Sequence, residues 1–204
     1  VDIYQKGADV KMYFSAEVDA TPTGYGSFVY ENKSDGSRSA SGPGAGVYLT
    51  FDTRKRHDVN VKVGLSFTSV ENARLNLETE ASGLTFDRAR ENAHAEWENA
   101  LGRIRVEGGE RDSRVKFYTG LFHALLGRGL ASDVNGAYPA NDGSVKYIAK
   151  DKSGKPLHNH YNTDAIWGGF WNLTQLWSIA WPEYYADWIS SQLLVYKDAG
   201  WLGD

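Results

Sequence analysis

The sequence predicts a two-domain chain, β-strands first and α-helices after. Three observations predict it. Apolar residues alternate with period two as far as about residue 68 and recur at helical spacing beyond it. Gly, Ser, Asp and Asn clusters punctuate the first part. Five of the seven tryptophans fall within residues 164–188, a density that paired helices with large apolar faces would need. The chain has 204 residues, 41% of them hydrophobic, enough for a packed core.

In the first part, "KMYFSAEVD" (11–19), "AGVYLTFDT" (45–53) and "DVNVKVGLSF" (58–67) read as half-buried strands. The last of these places Val59, Val61, Val63 and Leu65 on one face. Between them "NKSDGSRSASGPGAG" (32–46) reads as a long hairpin loop.

Beyond residue 68, Ser69 is positioned to cap a helix over "VENARLNLETEA", which Gly83 breaks. Thr85 caps a longer helix in which Phe86, Ala89, Ala93, Trp97, Ala100, Leu101 and Ile104 form an apolar stripe. After a turn at Gly108-Gly109, a third helix from about Asp112 turns Val115, Tyr118, Phe122 and Leu125 inward. Residues 129–162 form a long, turn-rich segment, with tight turns expected at Asn135-Gly136, Asp142-Gly143 and Ser153-Gly154. Two helices close the chain. One runs from Trp167 to Trp181; the other starts at Pro182, which suits a first helical position, and stops at Gly200.

Composition excludes several functions. The net charge of −4 offers no basic stripe for nucleic acid. No apolar run approaches the length of a membrane span. Without cysteine there are no disulfides, thiolate metal sites or cysteine nucleophile. No signal peptide is visible, but the chain begins at Val1 and stops at Asp204, so it reads as a piece of a longer protein.

The aromatic stretch is either core or the wall of a pocket for a flat, apolar-faced ligand such as a sugar ring. Trp177, Trp181 and Trp188 read as core; Trp171, Trp201 and Trp167 are open to either reading, with Trp167 and Trp171 four apart on one helical face. Asp164 reads first as a helix cap and second as a sugar contact. Glu183 and Asp187 suit a helix N-terminus. Asp133 either approaches the cleft or makes an Asx turn. His158 and His160, lacking a third ligand, read as a solvated pair, and His123 as packed or surface.

"VNVKVGLSFTSVENARLNLETE", "WENALGRIRVEGGERDSRVKFYTGLFHALL" and "GFWN…YKDAGWL" together resemble, in order, segments of glycoside hydrolase family 92, the calcium-dependent exo-acting α-mannosidases. The resemblance runs from about Lys11 to the end of the chain. It implies a multidomain β-then-α fold: the C-terminal part of a β-sandwich (1–68), linker helices (69–111) and the first helices of an (α/α)6 barrel (112–204). It also implies an inverting enzyme, with a general acid and a general base about 6.5–9.5 Å apart. Both carboxylates are expected downstream of Asp204, so no catalytic residue is assigned here and the chain alone is expected to be inactive.

The resemblance further implies that this chain supplies part of the −1 sugar pocket through Trp171, Asn172, Trp201, Trp167 and Asp164. Relatives carry aspartate at Asn172 and many carry arginine at Gln175. An amide can still donate to and accept from sugar hydroxyls. Calcium is expected in the complete enzyme on ligands mostly outside the chain, with no metal site within it. The implied partners are mannose-containing glycans, and the implied location is periplasmic or extracellular. The alternative is a non-catalytic carbohydrate-binding or structural module.

Overall fold

The computed structural model describes residues 11–54, 57–126, 129–162 and 166–202. Strands in antiparallel sheets come first and helices follow. The chain divides into two compact units, residues 16–63 and the remainder.

In the first unit, β2 (Gly24–Val29) is the middle strand of a three-stranded antiparallel sheet, between β3 (Asn32–Asp35) and β4 (Ala45–Thr50). Register pairs Gly26 with Tyr48 and Phe28 with Gly46. Each aromatic ring lies over the glycine opposite, where a Cβ would collide with it. The bare glycine strand is thus covered from across the ladder. Two expectations change. Strand β2 went unseen because its Gly and Ser residues carry no apolar alternation. The long loop predicted over 32–46 begins with strand β3, reached by a tight turn at Tyr30, whose φ is 52°.

β1 (Tyr13–Val18) and β5 (Val61–Ser66) pair as a two-stranded sheet. Here the predicted inward face is reversed. Val61, Val63 and Leu65 are more than half exposed, whereas Gly64 and Ser66 are buried. The reason is helix α1 (Val70–Ala81), which lies directly on the strand. A Cβ at Gly64 would collide with the Ala73 carbonyl and come within 2.7 Å of the Leu77 side chain. Ala73 and Leu77 are the buried side of α1. Small residues admit the helix, so the valines face away.

The expected caps form. Ser69 Oγ accepts from the Asn72 N–H at 3.0 Å and Thr85 Oγ1 from the Arg88 N–H at 3.2 Å. Gly83, Gly108 and Gly109 all adopt positive φ between elements. Helix α2 (Phe86–Leu101) buries less of its stripe than predicted. Phe86, Ala89 and Ala93 are exposed, and only the last turn and a half, with Trp97, Ala100 and Leu101, is half-buried. In α3 (Arg111–Leu126), Val115 is exposed and Leu121 is the buried residue.

The turn-rich segment is more ordered than a loop. It holds a hairpin, β6 (Ala137–Pro139) and β7 (Val145–Tyr147). Turns close at the three predicted glycines: the N–H groups of Gly136, Gly143 and Gly154 donate to the carbonyls of Asp133, Ala140 and Asp151. The predicted helix from Trp167 to Trp181 is two helices, α4 (Ile166–Gly169) and α5 (Leu173–Ala180). α6 (Pro182–Ala199) then packs on α5. It begins with Pro182 and ends at Gly200 in the left-handed conformation, whose N–H donates to the Tyr196 carbonyl.

The helical core is Leu121, Trp177, Trp181 and Trp188, as expected for the three tryptophans, with Leu101, Tyr118 and Tyr184 against it. Two indole N–H groups also serve the backbone. Trp177 Nε1 donates to the Ala124 carbonyl at 3.1 Å and Trp181 Nε1 to the Ala100 carbonyl at 3.2 Å. Both carbonyls lie in last turns, where helices lack internal partners for them.

Candidate functional site

The break between α4 and α5 shapes the aromatic site. The Phe170 N–H donates to the Ile166 carbonyl and completes the single turn of α4, and Gly168 and Gly169 weaken any continuation. The Gln175 amide donates to the Phe170 carbonyl at 2.7 Å and closes the turn. Phe170 and Trp171 ring centroids lie 4.5 Å apart at 33°. Trp171 is 72% exposed. Asn172 is the N-cap residue of α5, yet its side chain makes no capping bond. A solvent-facing ring therefore stands beside an amide that the helix does not use.

The remaining predicted residues are placed as follows. Trp167 lies on α4 and Trp201 in the bend after α6, both largely exposed. Trp167 and Trp171 do not share one helical face as expected, because Trp171 lies beyond the end of α4. No ring contact joins Trp167, Trp171 and Trp201 among the described residues. Asp164 lies outside the described residues. An open groove of about 630 Å³ lies between α2 and α3, lined by Leu101, Val115, Tyr118 and Phe122; it includes none of the predicted sugar residues.

The acids set aside in the sequence have structural partners. Glu183 pairs with Arg103, which holds its carboxyl below the usual range, and Arg103 also donates to the Ala180 carbonyl at 3.1 Å. Asp187 accepts from the Asn159 N–H at 3.0 Å.

Asp133 is neither a cleft residue nor an Asx turn. It is 5% exposed and its carboxylate accepts from Ser66 Oγ at 3.0 Å, from Thr68 Oγ1 and from Asn76 Nδ2 at 2.7 Å. Asn76 Oδ1 in turn accepts from the Val134 N–H, and Asn135 Nδ2 donates to Asn72 Oδ1. This network ties the end of β5 and the start of α1 to the turn before β6.

The histidines are not a solvated pair. His158 is half-buried, and His160 is only 5% exposed, with its ring centroid 4.6 Å from that of Tyr138. Its Nδ1 has no hydrogen-bond partner among the described residues, and burial, with His158 adding, lowers its pKa to about 4. His123 is a surface residue beside Phe122. Sequence reasoning missed Phe170 and the turn-closing role of Gln175; the glycine pair before Phe170 was the available signal.

The described residues thus form a strand-rich part followed by a helical part that displays exposed aromatic rings. The profile of the glycosyl hydrolase family 92 N-terminal domain matches residues 2–66, and that of the family's catalytic domain matches residues 72–204. The chain belongs to glycosyl hydrolase family 92. Among solved structures it is similar to the family 92 glycosyl hydrolase CcMan5, with 25% identity, a TM-score of 0.81, and coverage of 92% of this chain and 24% of that one. It also resembles the family 92 α-mannosidase BT3965 from Bacteroides thetaiotaomicron (22% identity, TM-score 0.75, 92% and 25%), solved as well in complex with mannoimidazole. A third similar structure is the inverting mannosidase BT2199 from Bacteroides thetaiotaomicron VPI-5482 (21%, 0.75, 94% and 25%). The chain thus spans about a quarter of the length of these structures. No curated protein sequence matches it significantly. Among the described residues no helix is long and apolar enough to cross a membrane.

Proposed function

We propose that the chain is part of an inverting exo-α-mannosidase acting on terminal α-mannosides of glycans, and that it forms one edge of the −1 sugar pocket. Family membership supports the hydrolase class, and the mannosidases of similar fold support the substrate. The observation that carries the pocket role is the pairing of an exposed Trp171 ring with an Asn172 amide free of capping duty. The ring can lie against the apolar face of a pyranose while the amide donates to one hydroxyl and accepts from another.

The general acid and base then belong to residues following Asp204, closing an (α/α)6 barrel that α3 to α6 begin. Among the described residues no three acidic or histidine side chains come together as a metal site. Calcium is proposed for the complete enzyme, on ligands mostly outside this chain, and no step is routed through it here. Export to the periplasm or beyond accompanies this reading.

The test is kinetic, in the complete enzyme with an aryl α-mannoside. Trp171→Ala is expected to raise KM about tenfold, the equivalent of one lost stacking contact. Asn172→Ala is expected to do the same to a smaller degree, with Asn172→Asp tolerated. Unchanged KM in both alanine variants would remove the pocket role. A complete protein that binds mannosides without turnover would favour the non-catalytic carbohydrate-binding module instead.

A further inference from the structure

Asp198 stands in the last turn of α6, where the helix presents carbonyls and disfavours a carboxylate. Its side chain is only 9% exposed. It accepts from Lys146 Nζ at 2.8 Å and from the Tyr138 hydroxyl at 3.1 Å. Lys146 also reaches Asp142 at 3.1 Å. A charge in an unfavourable place, largely withdrawn from water and held by two donors from another element, calls for an explanation.

The packing of α6 supplies one. Its buried residues are Trp188, Ser191, Gln192 and Val195, and Tyr196 and Lys197 beyond them are exposed. Buried packing therefore stops one turn before the helix ends. The last turn is held by Asp198, and two residues later Gly200, at φ 78°, directs the chain out toward Trp201. The hairpin that supplies Lys146 and Tyr138 is itself anchored. Tyr138, Ala140 and Ile148 form a small core with Leu194. The Ala137 N–H donates to Asn135 Oδ1 and the Asp133 N–H to the Ala137 carbonyl, joining the hairpin to the buried Asp133 network.

We infer that the Lys146–Asp198 ion pair, with the Tyr138 hydroxyl, is a positioning device for Trp201. It fixes the last turn of α6 to the β6–β7 hairpin and so sets the direction in which the Trp201 indole is presented. Lys146, Asp198 and Tyr138 touch no substrate; they act through Trp201. The inference rests on the reading of Trp201 as a sugar contact.

The experiment uses the complete enzyme and an aryl α-mannoside, with KM and kcat measured separately. Lys146→Ala is expected to raise KM about fivefold at near-constant kcat, the size of a coupling between neighbouring groups. Lys146→Arg, which keeps the pair, is expected to retain the wild-type KM. In a Trp201→Ala background, Lys146→Ala is expected to add nothing further. Three results would overturn the inference. If Trp201→Ala raises KM and Lys146→Ala does not, positioning fails while the sugar contact stands. If the Lys146→Ala effect persists in full without Trp201, the pair acts elsewhere. If Trp201→Ala leaves KM unchanged, the sugar contact fails and the inference falls with it. Should Lys146→Ala not fold, Tyr138→Phe removes a single O–H; a smaller KM rise, absent in the Trp201→Ala background, supports the inference, and no rise overturns it.

Discussion

Two regions of the helical part treat their polar groups in opposite ways. Around Asp133, every carboxylate oxygen is engaged, and Ser66, Thr68, Asn76, Asn72 and Asn135 spend their side chains on one another. At the α4–α5 turn, Trp171 faces solvent and Asn172 leaves its capping position unused. Residue type does not separate the two regions, since an aspartate sits in the first and an asparagine in the second. What separates them is whether the protein itself satisfies the group. A satisfied buried group holds the fold, and an unsatisfied exposed one is available to a ligand.

This contrast can be broken by mutation. The largest effect is expected in the helical core: Trp177→Ala should cost about 4 kcal/mol, through a large cavity and a lost bond to the Ala124 carbonyl. Urea unfolding followed by circular dichroism measures it. Asp133→Ala should cost about 3 kcal/mol by the same measurement, because it strands buried donors from Ser66, Thr68 and Asn76.

A comparable effect comes from pH. The folded His160 pKa of about 4 lies below the ordinary 6.5, so the unfolded chain takes up the proton first. Stability is full above about pH 6.5 and should fall by about 3 kcal/mol as the pH approaches 4. His160→Phe, which keeps a ring against Tyr138, should flatten that profile. Asp198 opposes the lowering and His158 adds to it, so neither charge alone reverses the sign. The smallest effect on stability is expected at the exposed turn. Trp171→Ala should change it by no more than about 0.5 kcal/mol while weakening sugar binding. A large loss of stability there would erase the contrast.

Local chemistry was legible in the sequence. The Ser69 and Thr85 caps, the three glycine turns, Pro182 and Gly200 depend on neighbouring residues alone, and all appear where the sequence places them. Features set by distant packing were not legible. The β5 face was read from its valines, but α1 folds back onto Gly64, and the residues around Gly64 do not say which face of the strand that helix covers. His160 and Asp133 sit in a polar, turn-rich stretch that looks exposed, and partners 22 or more residues away bury them. At the candidate site, tryptophan identity marked the region, but the helix break that presents Trp171 depends on a weak glycine pair and on Gln175 reaching back to Phe170.

The division of the indoles has an optical consequence. Trp177, Trp181 and Trp188 are shielded, Trp97 is half-buried, and Trp167, Trp171 and Trp201 meet the solvent. The protein should therefore emit as two populations, a blue-shifted one deaf to an added quencher and a red-shifted one that the quencher extinguishes. A bound mannoside would protect only the second. The molecule thus carries its own reporter, in which the dye that reads occupancy of the site and the dye that reads integrity of the core can be told apart by quencher alone.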